Sequence, residues 1–293
     1  MSEINNVSNV DKVKIGIITD SASDLTDEMY KKLNIEVIPF YVEVNGKSFR
    51  SGVDISVEEL FAISRKEKKI PRTSQITPTN FIEYFTKYLE KYEQIIYISI
   101  GSGFSGTFNN VCLAAKEIGD NKIYPVNSQN LSSGEGLIVL KACELRDEGK
   151  TCEEIVKELE VIVPKTKTSF VIDTLEFLHL GGRCSGTARL FGTLLNIKPI
   201  IKVVDGKMMV AKKPIGSYKK ALDIMLNSFI ADVDKINLDR VMVTHCKADS
   251  DAQYLIENIK KYVPKDHIFE TAAGSTVASH CGPRTIGILY ILK

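Results

Sequence analysis

Short runs of β-branched and aromatic residues alternate with amphipathic helical stretches through the first half of this chain. That alternation limits the fold more than any other feature. VKIGIIT (13–19), IEVIPFYV (35–42), QIIYISI (94–100) and KIYPV (122–126) read as strands. Around them, NFIEYFTKYLEKY places Phe81, Phe85, Tyr88, Leu89 and Tyr92 near one face at helical spacing. Thr77 followed by Pro78 marks where that helix starts, because proline at the first helical position gives up no needed N–H. Ser56 to Glu59 and Thr151 to Glu154 have the spacing of capping boxes. Apolar strands separated by helices imply a mainly parallel sheet with helices on both faces.

The pattern changes near Val163-Pro164-Lys165. SFVIDT (169–174) opens a second α/β unit, and PIIKVVDGKMMVAKKP carries Asp-Gly between two apolar runs, a hairpin signal. Further strands are expected at 239–246, 267–271 and 285–292, and helices near 218–230 and 250–262. The expected fold class is α/β in two domains. Residues 1–163 form an N-terminal α/β domain with a parallel sheet, and residues 164–293 a C-terminal α/β domain with a mixed sheet.

Charge excludes one class of partner. Thirty-eight Lys and Arg against 37 Asp and Glu leave a formal charge of +1, without the basic excess of a nucleic-acid binder. The polar opening MSEINNVSNVDK lacks the form of a secretory signal, and no run reaches 18 apolar residues. Six cysteines contain no C-x-x-C pair, and a chain this long needs no disulfide staples. The expectation is a cytoplasmic protein with reduced thiols.

In an open parallel sheet, ligands gather at the carboxyl ends of the strands. There the chain places Asp20-Ser21-Ala22-Ser23-Asp24, Gly101 to Thr107, and Asn127-Ser128; Thr73-Ser74-Gln75 precedes the aromatic-faced helix. Hydroxyls and free N–H groups can hold a carboxylate or phosphate without a lysine. Turn and cap chemistry also accounts for such residues. The glycine segment has three partial motifs. Gly101-x-Gly103-x-x-Gly106 lacks the acid of a dinucleotide site, Thr107 stands where a P-loop needs lysine, and Gly103-x-Ser105-x-Thr107 lacks the last glycine of a nucleophile elbow. His245-Cys246 and His280-Cys281 are adjacent pairs, which point apart on a strand and do not make a zinc site. His280, just before the last strand, can donate to an anion. Gly181-Gly182 would turn the chain to project Arg183, in a stretch running to Gly186.

Taken together these segments resemble the DegV family of bacterial fatty-acid-binding proteins, from about Ile15 to Leu292. The residues that carry the resemblance are Thr19-Asp20-Ser21, Thr73-Ser74-Gln75, Ser102 to Thr107, Leu175 to Leu178 with Gly181-Gly182-Arg183, and His280-Cys281-Gly282-Pro283. The resemblance implies a two-domain α/β fold with an apolar tunnel holding a long-chain fatty acid, such as hexadecanoate or an unsaturated C18 acid, and no cofactor. It implies carboxylate contacts at Ser74 and Ser105, with Thr73 alongside and His280 close by. It also implies an ATP-dependent fatty acid kinase as partner, with Arg183 facing that kinase or handling phosphate, and a route toward phospholipid synthesis through a membrane surface or an acyltransferase. Two positions depart from the family pattern: Ile76 stands where proline is usual, and Arg284 where a small residue is usual.

The physics suits such a ligand. About 14 buried methylenes at roughly 0.8 kcal/mol each give a gross term of about 11 kcal/mol before binding entropy is subtracted. The head group then needs only orientation. Two other readings compete: a serine esterase or acyltransferase using Ser105 and His280 with Asp20 or Asp24 as the orienting acid, and a nucleotide-binding module using the Gly101 turn.

Overall fold

A computed structural model describes residues 13–185 and 197–293. The opening segment 1–12 and Gly186 lie outside the described residues. The first half runs β1 (Val13–Asp20), α1 (Asp27–Lys32), β2 (Ile35–Ile38), β3 (Tyr41–Val44), β4 (Lys47–Arg50), α2 (Val57–Glu67), β5 (Arg72–Ser74), α3 (Pro78–Leu89), β6 (Tyr92–Ser99), α4 (Thr107–Ile118), β7 (Ile123–Asn127), α5 (Ser133–Asp147) and α6 (Cys152–Ile162). The second half runs β8 (Thr166–Val171), α7 (Glu176–Gly181), β9 (Cys184–Ser185), β10 (Ile200–Val204), β11 (Lys207–Lys212), α8 (Tyr218–Ile230), β12 (Ile236–Cys246), α9 (Asp249–Ile259), β13 (Ile268–Ala272), α10 (Ser275–Cys281) and β14 (Thr285–Leu292).

The fold is α/β with helices on both sheet faces. Four parallel strands in the order β2-β1-β6-β7 form the first sheet. Its strands alternate in which face they present. Ile18, Ile95 and Tyr97 pack with Phe81, Phe85 and Val111 of α3 and α4. Ile15, Ile17, Ile96 and Ile98 pack with α5 and α6. The expected caps are present: Thr77 accepts from the Asn80 N–H ahead of Pro78, and both capping boxes are closed.

Seven strands in the order β13-β12-β14-β8-β10-β11-β9 form a mixed sheet. The Asp-Gly hairpin is β10–β11, antiparallel, with Asp205 and Gly206 at φ 48 and 69 as a type I′ turn requires. Helix α5 lies between the two sheets. It carries no exposed residue before Asp147 and packs on β1 and β6 of one sheet and on β8, β12 and β14 of the other. Its buried residues, from Ser133 to Leu145, run round the helix, so it is covered on opposite flanks.

One expected strand divides. IEVIPFYV is not continuous: Ile35–Ile38 joins the parallel sheet, whereas Tyr41–Val44 joins a separate antiparallel sheet of order β4-β3-β5. Pro39 has no N–H to give a ladder, and the Phe40 N–H donates to Ser21 Oγ, so the chain changes sheets there. The strand expected at 169–174 runs instead from Thr166 to Val171.

Candidate functional site

Strand β5 ends in Thr73-Ser74 and is followed by Gln75, and these residues face the glycine turn after β6. Between them lies a cavity of about 670 Å³. Thr73, Ser74, Ser105, Arg183 and His280 all line it, so the structure brings together the five residues expected from sequence. Its apolar walls come from Phe40, Ile100, Phe104, Leu131, Met208 and Val277. Behind it a void of about 30 Å³ shares Leu131, Val277 and Cys281 and continues among Phe170, Cys246, Gly287 and Leu289.

The polar end is a set of partly committed groups. Thr73 Oγ1 and His280 Nε2 are hydrogen-bonded at 2.8 Å. His280 lies just before β14 as expected, in the last turn of the short helix α10. Its Nδ1 is buried without a partner, and Gly181 approaches so closely that a Cβ at that glycine would lie 2.6 Å from Nδ1. Burial, reinforced by the Arg183 charge, holds the imidazole pKa down to about 4, so the ring is neutral at ordinary pH. Ser105 Oγ bonds Thr107 Oγ1 at 2.8 Å and accepts from the Thr107 N–H at the start of α4. Ser74 Oγ donates to Glu43 Oε1 at 2.7 Å, a contact across the β3–β5 pair. Arg183 is exposed; its Nε donates to the Phe104 carbonyl at 3.4 Å and another guanidinium nitrogen to the Gly181 carbonyl.

The glycines of the turn are explained by close approach. A Cβ on Gly103 would lie 2.1 Å from the Gly206 carbonyl oxygen of the β10–β11 hairpin, and one on Gly101 would meet the Gln129–Asn130 backbone at 2.8 Å. The Ser102 N–H is already taken by Asn127 Oδ1. This turn is built for packing, which removes the motive for a nucleotide reading of it.

Other expected rim residues are elsewhere. Asp20 is fully buried and accepts from the Ala22 and Ile100 N–H groups; Asp24 accepts from Ser132 Oγ and the Gly274 N–H. Burial raises both carboxyls to about 7. Neither orients His280, and His280 bonds Thr73 rather than Ser105, so no nucleophile–base–acid relay is assembled. Arg284 does not line the cavity: it pairs with Asp251 and lies 4.3 Å from the Tyr218 ring centre. Ile76 is buried in the main core and its carbonyl accepts from Asn110, so the departure from proline leaves the loop anchored. Sequence reasoning missed Met208, Thr276 and Glu43. No local signal links these to the site: hairpin position brings Met208, strand pairing Glu43, and the docking of α10 Thr276.

The fold and cavity define a class: an α/β protein with an apolar chamber closed at one end by hydroxyls and a neutral histidine. Within that class the chain belongs to the DegV family, whose model, described only as an uncharacterised protein of that family, matches residues 14–293. It is 37% identical over 284 residues to a DegV domain-containing protein of Clostridium acetobutylicum, covering 96% of this chain and 99% of that one. Among solved structures it is similar to a DegV family protein of Thermus thermophilus described for its fatty acid binding, with a TM-score of 0.87, 32% identity and coverage of 96% and 100%. It is also similar to DegV of Bacillus subtilis, described as a fatty acid binding protein, with a TM-score of 0.84, 27% identity and coverage of 96% and 100%. Among the described residues no helix is long and apolar enough to cross a membrane, and no cluster of His, Cys, Asp or Glu is arranged to hold a metal ion.

Proposed function

We propose that this protein is a carrier that binds a long-chain fatty acid and presents its carboxylate to a separate ATP-dependent kinase. The observation that carries the reading is one cavity with an apolar body and an alcohol-lined end. The tail would lie along Ile100, Phe104, Leu131, Met208 and Val277 within the main cavity. The carboxylate would lie at Ser105 and Ser74, with Thr73 and His280 beside it. A neutral histidine suits the role, because it can donate one hydrogen bond without pinning the anion in a full ion pair. The similar proteins from Thermus thermophilus and Bacillus subtilis, named for fatty acid binding, support the ligand class.

Arg183, exposed at the mouth, is the group we assign to the kinase or to the phosphoryl group being transferred. Cysteines held as buried thiols, such as Cys143 and Cys281, suit a cytoplasmic carrier. We assign the two sheets to two domains, residues 1–163 and 164–293, with the chamber at their junction.

Two measurements test this. Mass spectrometry of the denatured, purified protein should release a stoichiometric long-chain acid; a protein that neither carries nor takes up such an acid refutes the reading. With ATP alone no acyl phosphate should form, whereas adding a fatty acid kinase should give one, trapped with hydroxylamine. Failure of only the second leaves a fatty acid carrier without this kinase.

A further inference from the structure

A second cavity, of about 270 Å³, lies between the seven-stranded sheet and α8. Strand register sets its floor. Ser169 of β8 pairs with Lys202 of β10 on one side and with Ile288 of β14 on the other, and directly opposed residues share a sheet face. Lys167, two residues away, projects from the same face. Ile288 and Tyr290 pack with α8 there, whereas Thr168 turns the other way to bond Asn130. The two cavities have no lining residue in common.

Two polar groups in this second cavity have unused capacity. Ser169 Oγ is buried with no hydrogen-bond partner. Lys202 is partly buried, and its ammonium forms no ion pair or hydrogen bond among the described residues. Lys167 Nζ reaches only the Pro164 carbonyl, at 3.5 Å. A buried hydroxyl without a partner is unfavourable unless something fills the space beside it, and Lys202 brings an unpaired ammonium to the same face of the adjacent strand. Acidic groups lie toward the rim: Asp232 accepts from the Tyr290 hydroxyl at 2.8 Å, and Asp205 is exposed on the hairpin turn.

We propose that this cavity binds a small phosphate compound, either free phosphate or a short phosphomonoester, with its anionic group on Lys202, Ser169 and Lys167. Two ammonium groups and a hydroxyl offer donors from separate strands, which suits a tetrahedral anion with several acceptor oxygens. A hydroxylated body would then meet the acidic rim at Asp232. At roughly 30 Å³ per water the space holds about nine waters. That suits a phosphate on a body of about three carbons.

The test is thermal unfolding of the full chain at constant ionic strength, titrated with sodium phosphate or with glycerol 2-phosphate against sodium chloride. The wild type should show a saturable rise of about 3 °C. Lys202→Met and Ser169→Ala should lose it while keeping their ligand-free circular dichroism and fatty acid content. If Lys202→Met does not fold, Lys167→Met and Ser169→Ala decide. Saturation at lower concentration with glycerol 2-phosphate identifies an ester as the ligand, and the reverse identifies free phosphate. A rise no greater than chloride gives, or one that survives in the folded variants, overturns the proposal. Because the two cavities are separate, this result and the fatty acid result can fail independently.

Discussion

Asp20, Asp24 and Glu135 lie just behind the main cavity, whereas Thr73, Ser105 and His280 line it. Asp20 ends β1 and Ser105 follows its neighbour β6, so both look alike in the sequence as polar residues beyond apolar runs. The acids are fully enclosed. Asp20 and Asp24 have their oxygens bonded to N–H and hydroxyl donors, most of them distant in sequence. Glu135 accepts from Thr19 through one oxygen, while burial and the nearby Asp20 charge push its pKa well up. The cavity group is only partly buried and faces open volume. An orphaned atom alone does not separate the two, since Glu135 Oε2 and His280 Nδ1 both lack a partner. A polar residue near a strand end therefore marks a site only when it also borders space that a ligand can enter.

That contrast can be broken by substitution. Asp24→Ala should have the largest effect: it strands the Ser132 hydroxyl and the Gly274 N–H at the start of α10, each worth about 1–3 kcal/mol when left unsatisfied. Chemical denaturation should show a loss of about 3 kcal/mol, and a loss under about 1 would make this acid dispensable. Gly103→Ala comes next, because its Cβ cannot coexist with the Gly206 carbonyl oxygen. A loss of about 1–3 kcal/mol with weakened ligand binding is expected. Ser105→Ala should change stability by no more than about 1 kcal/mol and weaken fatty acid binding about tenfold or more, the value of one hydrogen bond to a charged group. Unchanged affinity would remove Ser105 from the site. Ser74→Ala should weaken binding less than Ser105→Ala, since its hydroxyl already donates to Glu43.

Acidity sharpens the same comparison. Asp20 and Asp24 are raised from 3.8 to about 7, so the native state binds their protons more tightly than the unfolded chain does. Their contribution is fully present below pH 3.8 and is lost as pH rises through about 7. His280 is lowered from 6.5 to about 4, so its contribution is present above pH 6.5 and is lost as pH falls through about 4. Between these limits the two groups oppose one another. The difference in Tm, Asp24→Asn minus wild type, should therefore grow from pH 5 to pH 8, and His280→Gln minus wild type should grow as pH falls from 7 to 5. Flat differences would contradict the burial assigned to these groups.

Local chemistry made much of this legible. Pro78, the two capping boxes and the Asp-Gly turn act within a few residues, so their signals survive in the one-dimensional chain. The division of Ile35–Val42 does not, because Phe40 leaves its first sheet to meet Ser21, a tertiary partner. The same holds at the site. Thr73, Ser105 and Arg183 were readable from motifs, but Glu43 reaches Ser74 only through strand pairing, and Met208 enters the wall only because the hairpin turn lies on Gly103. Asp20 and Asp24 misled for a physical reason: their sequence neighbourhood does not reveal that α5 and the α10 entry enclose them.

Helix α5, pressed between both sheets with no exposed residue before Asp147, ties the two halves into one cooperative unit. Swinging them apart would bare its apolar flanks to water all at once. Heating should therefore melt the halves together rather than in turn.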